Sequence, residues 1–335
     1  MKIYLDGFFY QLCQYSKTAT NFQNINEIPN DCDIVAVSFY NNHWHEYLQT
    51  IQELSTRTKK LLVNLSEPTP GTMSFTTFVN SIAYDNVYLF SDAVFNYTPT
   101  ANIETAMSWF IYSDNFYASQ HWAQERIKQL NRAFDRPKMF DCLLGKQRPH
   151  RDIIQTYYAN SAHRDSIVFS YHNQVLEHGL WDADIDNYQL YWGPQPQPVS
   201  PDFPRVPRDA LLPLNIYNQT YYSIVAETTV ENKYSFYNEK VAKPIIAGRP
   251  FVAFAGQNYL SNLRKLGFKT FESVVDQSYD SIADLRERMQ AAWAQVEWLC
   301  AQDPKHVYRE LHDVLQHNHK HFLSTDWHKA IRKHF

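Results

Sequence analysis

The sequence predicts an α/β protein built from parallel sheets, and three observations lead to that prediction. Short apolar segments rich in β-branched residues recur along the chain, for example at 33–40 and 86–90. Segments with helical spacing, such as 45–56, separate them, and strands separated by helices pair in parallel. The chain has 335 residues, of which 44% are hydrophobic, so two domains can each bury a core. We therefore expect two α/β domains.

The first predicted domain covers residues 1–135. Apolar runs predict four strands, and helical spacing predicts three helices, the last of them long. The predicted strands are 2–5, 33–40, 60–65 and 86–90, and the predicted helices are 45–56, 73–83 and 109–134. The sequence Asp135-Arg136-Pro137 interrupts the helical pattern and marks the end of the domain.

The second predicted domain covers residues 136–280, and 281–335 are predicted to form C-terminal helices. A proline-rich stretch at 194–213 is expected to lack regular structure, and Ser281 with Asp284 is expected to form a capping box. The predicted strands are 139–144, 166–171, 221–227, 250–254 and 269–271, and the predicted helices are 152–158, 241–247, 259–266 and 281–300.

Composition excludes several classes of protein. Glycine is scarce, with 8 residues and no GxGxxG or Walker pattern, which excludes a glycine-rich phosphate-binding loop. The net charge of −4 excludes a dominant basic surface for nucleic acid. The four cysteines are far apart in sequence and form no CxxC pair, so we expect reduced thiols in a cytoplasmic protein. No signal peptide or membrane-spanning run is apparent.

The most informative stretch is 221–254, which reads as strand, loop, helix and strand. Glu227 ends the first strand, Asn238, Glu239 and Lys240 lead into the helix, and Gly248 is placed to end it. Ligands of open α/β sheets bind at the carboxyl ends of the strands. A carboxylate at that edge can accept a ribose hydroxyl, and a lysine at a helix start can reach a phosphate.

This order of residues resembles the donor-binding motif of the α1,3-fucosyltransferase-like glycosyltransferases. In that family a strand ends in Glu-Asn, and a loop then leads to Tyr-x-Thr-Glu-Lys, a helix, Ala-Gly and a strand. Here the strand ends in Glu227-Thr228, the segment Phe236-Tyr237-Asn238-Glu239-Lys240 follows, and Ala247-Gly248 precedes the last strand. Asn238 takes the position of the family's Thr, and the Asn after the strand is absent.

The resemblance implies the GT-B fold, in which two Rossmann-like domains face a cleft. It implies that the second domain binds a nucleotide sugar and that the C-terminal helices pack back toward the first domain. Glu227, Asn238, Glu239 and Lys240 are then the expected donor-binding residues. Tyr237, together with Tyr234, is a candidate for stacking on the nucleobase or the sugar.

A basic loop, 145–151, lies between a predicted strand and a predicted helix of the second domain. Guanidinium groups bind phosphate oxygens bidentately, and helix amides add positive potential. We expect Arg148 or Arg151 to contact the diphosphate, with Lys146 as the next candidate. The resemblance supports this expectation, since the family has an Arg near this topological position.

A catalytic base is expected in the first domain. Glu67 follows a predicted strand in Ser66-Glu67-Pro68, and a carboxylate at a strand end that faces the cleft can remove the proton of an acceptor hydroxyl. This segment resembles the family's Glu-Ser-Pro-like segment, which carries its proposed base. Asp92 and Asp6 end other strands and remain alternatives.

Three stretches have residue spacings that resemble those of metal sites. The His43/His45 pair and the series His317, His319, His321 have an i, i+2 spacing, which does not share one face of a helix. Asp182 and Asp184 resemble the metal–nucleotide motif of another glycosyltransferase class and remain an alternative. We expect no metal and no cofactor besides the nucleotide-sugar co-substrate.

The expected function is transfer of a sugar from a nucleotide-diphosphate sugar to a hydroxyl acceptor, with inversion. The acceptor could be a glycan, a lipid-linked sugar or a modified nucleobase in DNA, because residues 251–280 also resemble uncharacterised tailed-phage proteins. A phage-encoded protein would act in the host cytoplasm. Two alternatives remain: a nucleotide-binding module without catalysis, and a structural or host-interaction protein of a phage.

Overall fold

The computed structural model shows an α/β protein with parallel sheets, as the sequence predicts. The chain forms two compact units, one made of Met1–Tyr112 and Asp326–Phe335 and the other of Ser113–Thr325. The domain boundary at residue 135 stays a prediction. The structure describes residues 1–6, 9, 19–40, 44–66, 74–107, 110, 124, 127–130, 135–171, 189–191, 205–207 and 211–335.

The first unit contains a six-stranded parallel sheet in the order β2-β1-β3-β4-β5-β7. The strands of this unit are β1 (Ile3–Leu5), β2 (Ala19–Asn21), β3 (Cys32–Tyr40), β4 (Thr58–Ser66), β5 (Val87–Ser91), β6 (Ala93–Phe95) and β7 (Ile103–Thr105). Strand β6 is not part of the six-stranded sheet. The helices of this unit are α1 (Trp44–Arg57), α2 (Phe75–Asn80) and, near the end of the chain, α10 (Lys329–Arg332).

The apolar runs that predicted the central strands form the core of this sheet. Val35 and Ala36 of β3 pair with Leu61 and Leu62 of β4, and all four side chains are buried. Parallel strands covered on both faces read as continuous apolar runs, because consecutive side chains point to opposite, equally buried faces. This pairing explains why these strands could be found from sequence.

The second unit contains a four-stranded parallel sheet in the order β14-β12-β8-β9. The strands of this unit are β8 (Lys138–Leu144), β9 (Ile167–Tyr171), β10 (Gln189–Tyr191), β11 (Arg205–Pro207), β12 (Thr220–Ala226), β13 (Tyr234–Phe236) and β14 (Phe251–Phe254). Strands β10, β11 and β13 are not part of the four-stranded sheet. The helices of this unit are α3 (Pro149–Asn160), α4 (Leu214–Gln219), α5 (Glu239–Ile246), α6 (Tyr259–Lys265), α7 (Leu285–Cys300), α8 (Pro304–Glu310) and α9 (His312–Ser324).

Strand β12 lies inside this second sheet. All seven of its residues are buried, which requires cover on both faces. Helix α5 packs against β12, α7 packs against β8 and β14, and α9 packs against α5. Gly248 follows α5 with φ +62°, a left-handed conformation that glycine adopts at helix ends, as the sequence predicts.

Two local predictions near the C-terminus are wrong. Residues 269–271 form no strand, because the side-chain amide of Asn318 satisfies both the N–H and the C=O of Lys269 at 2.8 Å each. Ser281 takes part in no capping box, since Asp284 itself caps α7 by accepting from the amides of Arg286 and Glu287. The Ser281 hydroxyl instead donates to the carbonyl of Ser278.

The proline-rich stretch contains a short strand that the sequence did not predict. Strand β11 pairs in parallel with β10. Pro207 is the last residue of β11, where the missing N–H costs little at the edge of a two-stranded sheet. Most of 194–213 and most of the helix predicted at 109–134 lie outside the described residues.

No helix within the described ranges is both long and apolar enough to cross a lipid bilayer.

Candidate functional site

The candidate site lies at the carboxyl-terminal edge of the second sheet. Parallel pairing brings the ends of β8, β12 and β14 to one edge, with Ala226 opposite Phe254 in the register. The amide of Glu227 extends the ladder by donating to the carbonyl of Phe254 at 3.1 Å. The residues that follow β8 and β12, and the start of α5, supply the functional side chains.

Glu227 is buried, and its carboxylate is held by two donors. Its Oε1 accepts from the Tyr259 hydroxyl at 2.6 Å, and its Oε2 accepts from the amide of Thr228 at 3.3 Å. Burial raises the pKa of Glu227 to about 7, although the charge of Lys240 and the Tyr259 bond oppose that shift. Near neutral pH both the protonated and the ionised form of this carboxyl group are therefore populated.

Lys240 and Glu239 form an ion pair at the start of α5. The Nζ of Lys240 lies 2.9 Å from Oε1 of Glu239 and 3.2 Å from the Thr228 hydroxyl. The other oxygen of Glu239, Oε2, is buried and makes no hydrogen bond within the described residues. Burial opposes ionisation of Glu239, but Lys240 and Lys243 outweigh it and hold its pKa below the usual range. Glu239 is thus an ionised carboxylate with one unused acceptor.

Asn238 fixes the start of α5. The residue is fully buried and has extended backbone angles, and its Oδ1 accepts from the amide of Lys240 at 2.9 Å, as expected of a helix N-cap. Its Nδ2 donates to the Thr228 hydroxyl at 3.3 Å. Asn238 therefore positions Lys240 and Thr228, and both of its side-chain polar atoms already form hydrogen bonds within the protein.

Tyr237 belongs to the core in this conformation. Its side chain is fully buried, its hydroxyl donates to the carbonyl of Tyr259 at 2.6 Å, and the two rings lie 4.7 Å apart. Tyr234 is also buried. Neither ring presents an exposed face on which a base or a sugar could stack, so Tyr237 supports Glu227 indirectly, through Tyr259.

The basic loop after β8 separates into a buried arginine and partly exposed cations. The Arg151 guanidinium is buried and donates to the carbonyls of Lys146, Ala226 and Glu227. Burial lowers its pKa, and the neighbouring charge of Arg148 lowers it further. Arg151 therefore ties the loop to the end of β12.

Arg148 and Lys146 have more freedom. Arg148 is the N-cap residue of α3 and is half-buried, and its Nε makes no hydrogen bond within the described residues. Lys146 is exposed. Of the predicted pair of arginines, Arg148 is the one whose guanidinium is not already committed to backbone carbonyls.

Three side chains at this edge were missed as site residues. Thr228 bridges Asn238 and Lys240, and Tyr259 holds Glu227. His150 Nε2 lies 2.9 Å from the carbonyl of Glu227, and burial lowers its pKa to about 4, so it is neutral at pH 7 and donates to that carbonyl. Only Thr228 had a sequence signal, since it stands where the family motif has Asn.

The predicted catalytic carboxylates belong to the first unit. Glu67 lies outside the described residues, so its role stays a prediction. Asp92 directly follows β5 and is fully buried. Asp6 accepts from the amides of Phe9 and Ser38 at 2.9 and 2.5 Å, and it therefore joins the ends of β1 and β3.

The histidines of α9 bind helix ends. His319 lies 2.7 Å from the carbonyl of Ile246 at the end of α5, and His317 and His321 lie 2.9 and 2.8 Å from carbonyls that follow α6. Such carbonyls lack partners inside their own helix. Among the described residues, no group of three or more His, Cys, Asp or Glu side chains is arranged to hold a metal ion. Asp182, Asp184 and His43 lie outside those residues.

The arrangement offers a site for an anion next to a carboxylate that can accept a hydrogen bond from a ligand hydroxyl. Lys240 and Arg148 supply positive charge at the starts of two helices, α5 and α3, where the helix dipole adds positive potential. Glu239 supplies the acceptor. Comparison of the sequence with models of protein families and with curated proteins found no match.

Proposed function

We propose that the second unit binds the diphosphate and ribose of a nucleotide sugar at this edge, and that the chain is a GT-B glycosyltransferase. One observation supports the proposal above the others. Glu239 and Lys240 sit together at the start of α5, and Glu239 keeps a buried oxygen without a hydrogen-bond donor. A buried acceptor of this kind is costly unless a ligand satisfies it.

Each side chain has a role in this proposal. Glu239 accepts a ribose hydroxyl, while Lys240 and Arg148 bind diphosphate oxygens, with Lys146 at the exposed side. Charge builds on the diphosphate as the sugar leaves, and cations fixed in advance stabilise that charge. Arg151 and Glu227 hold the framework, because both terminal nitrogens of the Arg151 guanidinium and both carboxylate oxygens of Glu227 already bond within the protein.

The proposed transfer is a single displacement. The acceptor oxygen forms a bond to the anomeric carbon on the face opposite the diphosphate, the bond from that carbon to the diphosphate oxygen breaks, and the configuration inverts. A carboxylate of the first unit takes the acceptor's proton, with Glu67 as the first candidate and Asp92 as the second. The protein's cations stabilise the leaving group in this scheme, without a metal or a further cofactor.

The acceptor remains a choice among a glycan, a lipid-linked sugar and a modified nucleobase in DNA, and we place the reaction in the cytoplasm. The stretch 251–280, whose resemblance to tailed-phage proteins suggests the nucleobase, forms β14 and α6 and reaches into the 3-10 helix at Ser278–Ser281.

A thermal-shift screen with UDP-, GDP-, dTDP- and CMP-sugars tests the donor site. A ligand present at 100 times its Kd stabilises the folded state by about 2.7 kcal/mol, which is easily measured as a rise in Tm. We expect a diphosphate donor to stabilise the protein more than the CMP-sugar, which has a single phosphate. The Lys240→Ala protein should lose most of that difference.

Turnover of the stabilising donor then separates the alternatives. Release of the nucleoside diphosphate with an acceptor supports the transferase. Stabilisation with no turnover on glycan, lipid-linked or DNA acceptors favours a non-catalytic nucleotide-binding module. Absence of stabilisation by any nucleotide contradicts the donor site and favours a structural role for the fold.

A further inference from the structure

A cavity lies at the edge of this sheet opposite to the candidate donor site. It has a volume of about 670 Å³, within the range of small-molecule sites. Arg136 lies two residues before β8 and Arg249 two residues before β14, and both line the cavity. These are the amino ends of parallel strands. The seven residues of β12 place this edge roughly 20 Å from the candidate donor site.

The floor of this cavity is a hydrogen-bonded polar network. The Arg249 guanidinium is buried, bonds to the Asp141 carboxylate at 2.9 Å and also donates to the carbonyls of Tyr217, Thr220 and Tyr222. Arg136 donates to the carbonyl of Thr220 at 2.7 Å. These two arginines hold the start of the sheet together, so their charges are already engaged in the structure.

The mouth of the cavity carries cations that do not take part in this hydrogen-bond network. Lys305 and Arg309 are exposed, line the cavity and stand four positions apart on α8, so they share one face of that helix. Neither forms an ion pair in the part of the chain that the structure describes. His312 adds a third donor at the mouth, and no Asp or Glu is among the described residues that line the cavity.

The inner wall is apolar. Ile246 at the end of α5 and Leu315 of α9 are buried, and Ile127 and Leu130 line the cavity with them. An apolar wall below a cationic mouth fits a ligand with an apolar body and one anionic head. A phosphate head suits the mouth better than a carboxylate, because its three oxygens and nearly two negative charges match an ammonium, a guanidinium and an imidazole.

We propose that this cavity is a binding site for an amphipathic organic phosphate, distinct from the donor site. Its apolar group lies against Ile246 and Leu315, and its phosphate binds Lys305 and Arg309. The proposal does not depend on the glycosyltransferase assignment, because it uses different residues at the other edge of the sheet.

Binding of n-octyl phosphate to the full chain, measured below its micelle concentration by calorimetry and by the shift in Tm, tests the site. We expect saturable binding, with little response to inorganic phosphate or to n-octyl glucoside at the same concentration. The Lys305→Gln/Arg309→Gln protein should bind more than about tenfold more weakly, because two charge-assisted contacts are lost. The Arg286→Gln/Lys320→Gln protein has the same change in net charge at exposed positions outside the cavity and should bind normally.

A second variant tests the apolar part. Gln316 is exposed and lines the cavity, so Gln316→Trp should fold and should weaken binding by filling the space. Equal binding of n-octyl glucoside, or equal loss in the matched Arg286/Lys320 variant, would overturn the proposal. Equal binding of octanoate would overturn the phosphate assignment. Competition between n-octyl phosphate and a nucleotide would overturn its separation from the donor site.

Discussion

The hydroxyl of Tyr259 donates a 2.6 Å hydrogen bond to the carboxylate of Glu227, across 32 positions of sequence. Tyr259 begins α6, and Glu227 directly follows β12. The Tyr237 hydroxyl in turn holds the carbonyl of Tyr259. A buried carboxyl group whose pKa is about 7 is thus fixed at the same edge of the sheet as Lys240 and Glu239.

Glu227→Gln should change how stability depends on pH. The pKa of Glu227 is raised in the folded protein from an ordinary 4.5 to about 7, so between these values the unfolded chain loses the proton first. The wild-type protein therefore loses stability as pH rises from about 4.5 to 7, by up to roughly 3 kcal/mol. The Gln protein lacks this loss. As pH is raised from 4 to 8, the Tm of the Gln protein should therefore approach the wild-type Tm or exceed it.

Glu310→Gln, at an exposed position of α8, is the control for this titration and should follow the wild-type profile. A constant Tm difference between wild type and Glu227→Gln across that range would show that Glu227 titrates near its ordinary value.

Lys240→Ala should weaken binding of a nucleoside diphosphate more than binding of the bare nucleoside. Loss of a charge-assisted contact costs about 1.5–3 kcal/mol, and only the diphosphate makes that contact. Calorimetry with both ligands measures the difference. Lys233→Ala removes the same charge from an exposed loop position and should change neither affinity. Equal losses for the two ligands in Lys240→Ala would remove Lys240 from the phosphate site.

Substitution of Arg148 should change ligand binding, whereas substitution of Arg151 should change stability. Arg151 donates to three backbone carbonyls and is buried, so Arg151→Lys should lower Tm, because one ammonium cannot reproduce the planar donor geometry. Arg148→Lys should keep Tm and lower diphosphate affinity if the contact is bidentate. Melting curves and calorimetry on the same two proteins give both values. A nucleotide-bound structure with the Arg148 guanidinium in solvent would contradict its role.

Gly267→Ala should destabilise the second unit by about 2 kcal/mol. Gly267 has φ +93°, and a Cβ there would lie 2.6 Å from Nε2 of His321. That nitrogen also bonds to the carbonyl of Leu266, so the ring cannot move without losing a partner. Gly145→Ala is the matched control, since nothing lies within 4 Å of its added Cβ. Equal melting temperatures for both variants would contradict both the backbone strain at residue 267 and the contact with the His321 ring.

Glu67→Gln should leave donor affinity nearly unchanged and lower turnover by a factor on the order of 10²–10⁴, because the shape of the side chain is kept and its basicity is lost. The measurement is kcat with saturating donor. Asp92→Asn is the comparison, since Asp92 ends a strand of the same sheet. Full activity of Glu67→Gln with loss in Asp92→Asn would transfer the role to Asp92. Full activity of both variants would exclude a base at either position.

Local sequence was sufficient for the strands and for several helix ends. The segments at 33–40, 60–65 and 86–90 were predicted from continuous apolar runs and lie within one residue or two of β3, β4 and β5. Such runs are visible because a strand buried on both faces must be apolar at every position. Gly248 was predicted to end α5 for an equally local reason, since its conformation is the left-handed one.

The candidate site was only partly accessible from the sequence. The order Glu227, Glu239, Lys240 can be read along the chain, and parallel pairing predicts that such residues meet at one edge. Nothing local predicts that Arg151 bonds to the carbonyls of Ala226 and Glu227, 75 and 76 positions away. That contact depends on β8 being the neighbour of β12 in the sheet.

The sequence by itself determined the α/β class, most of the strands and the segment in which Glu239 and Lys240 lie. These follow from side-chain patterns within a few residues. Only the tertiary structure decided which polar groups are already paired: Tyr237 and Arg151 inside the protein, Arg148 at the edge, Lys269 with Asn318 in place of a strand. The physical reason is that hydrogen bonds of buried groups depend on which distant segments pack together, and a linear pattern does not encode that order.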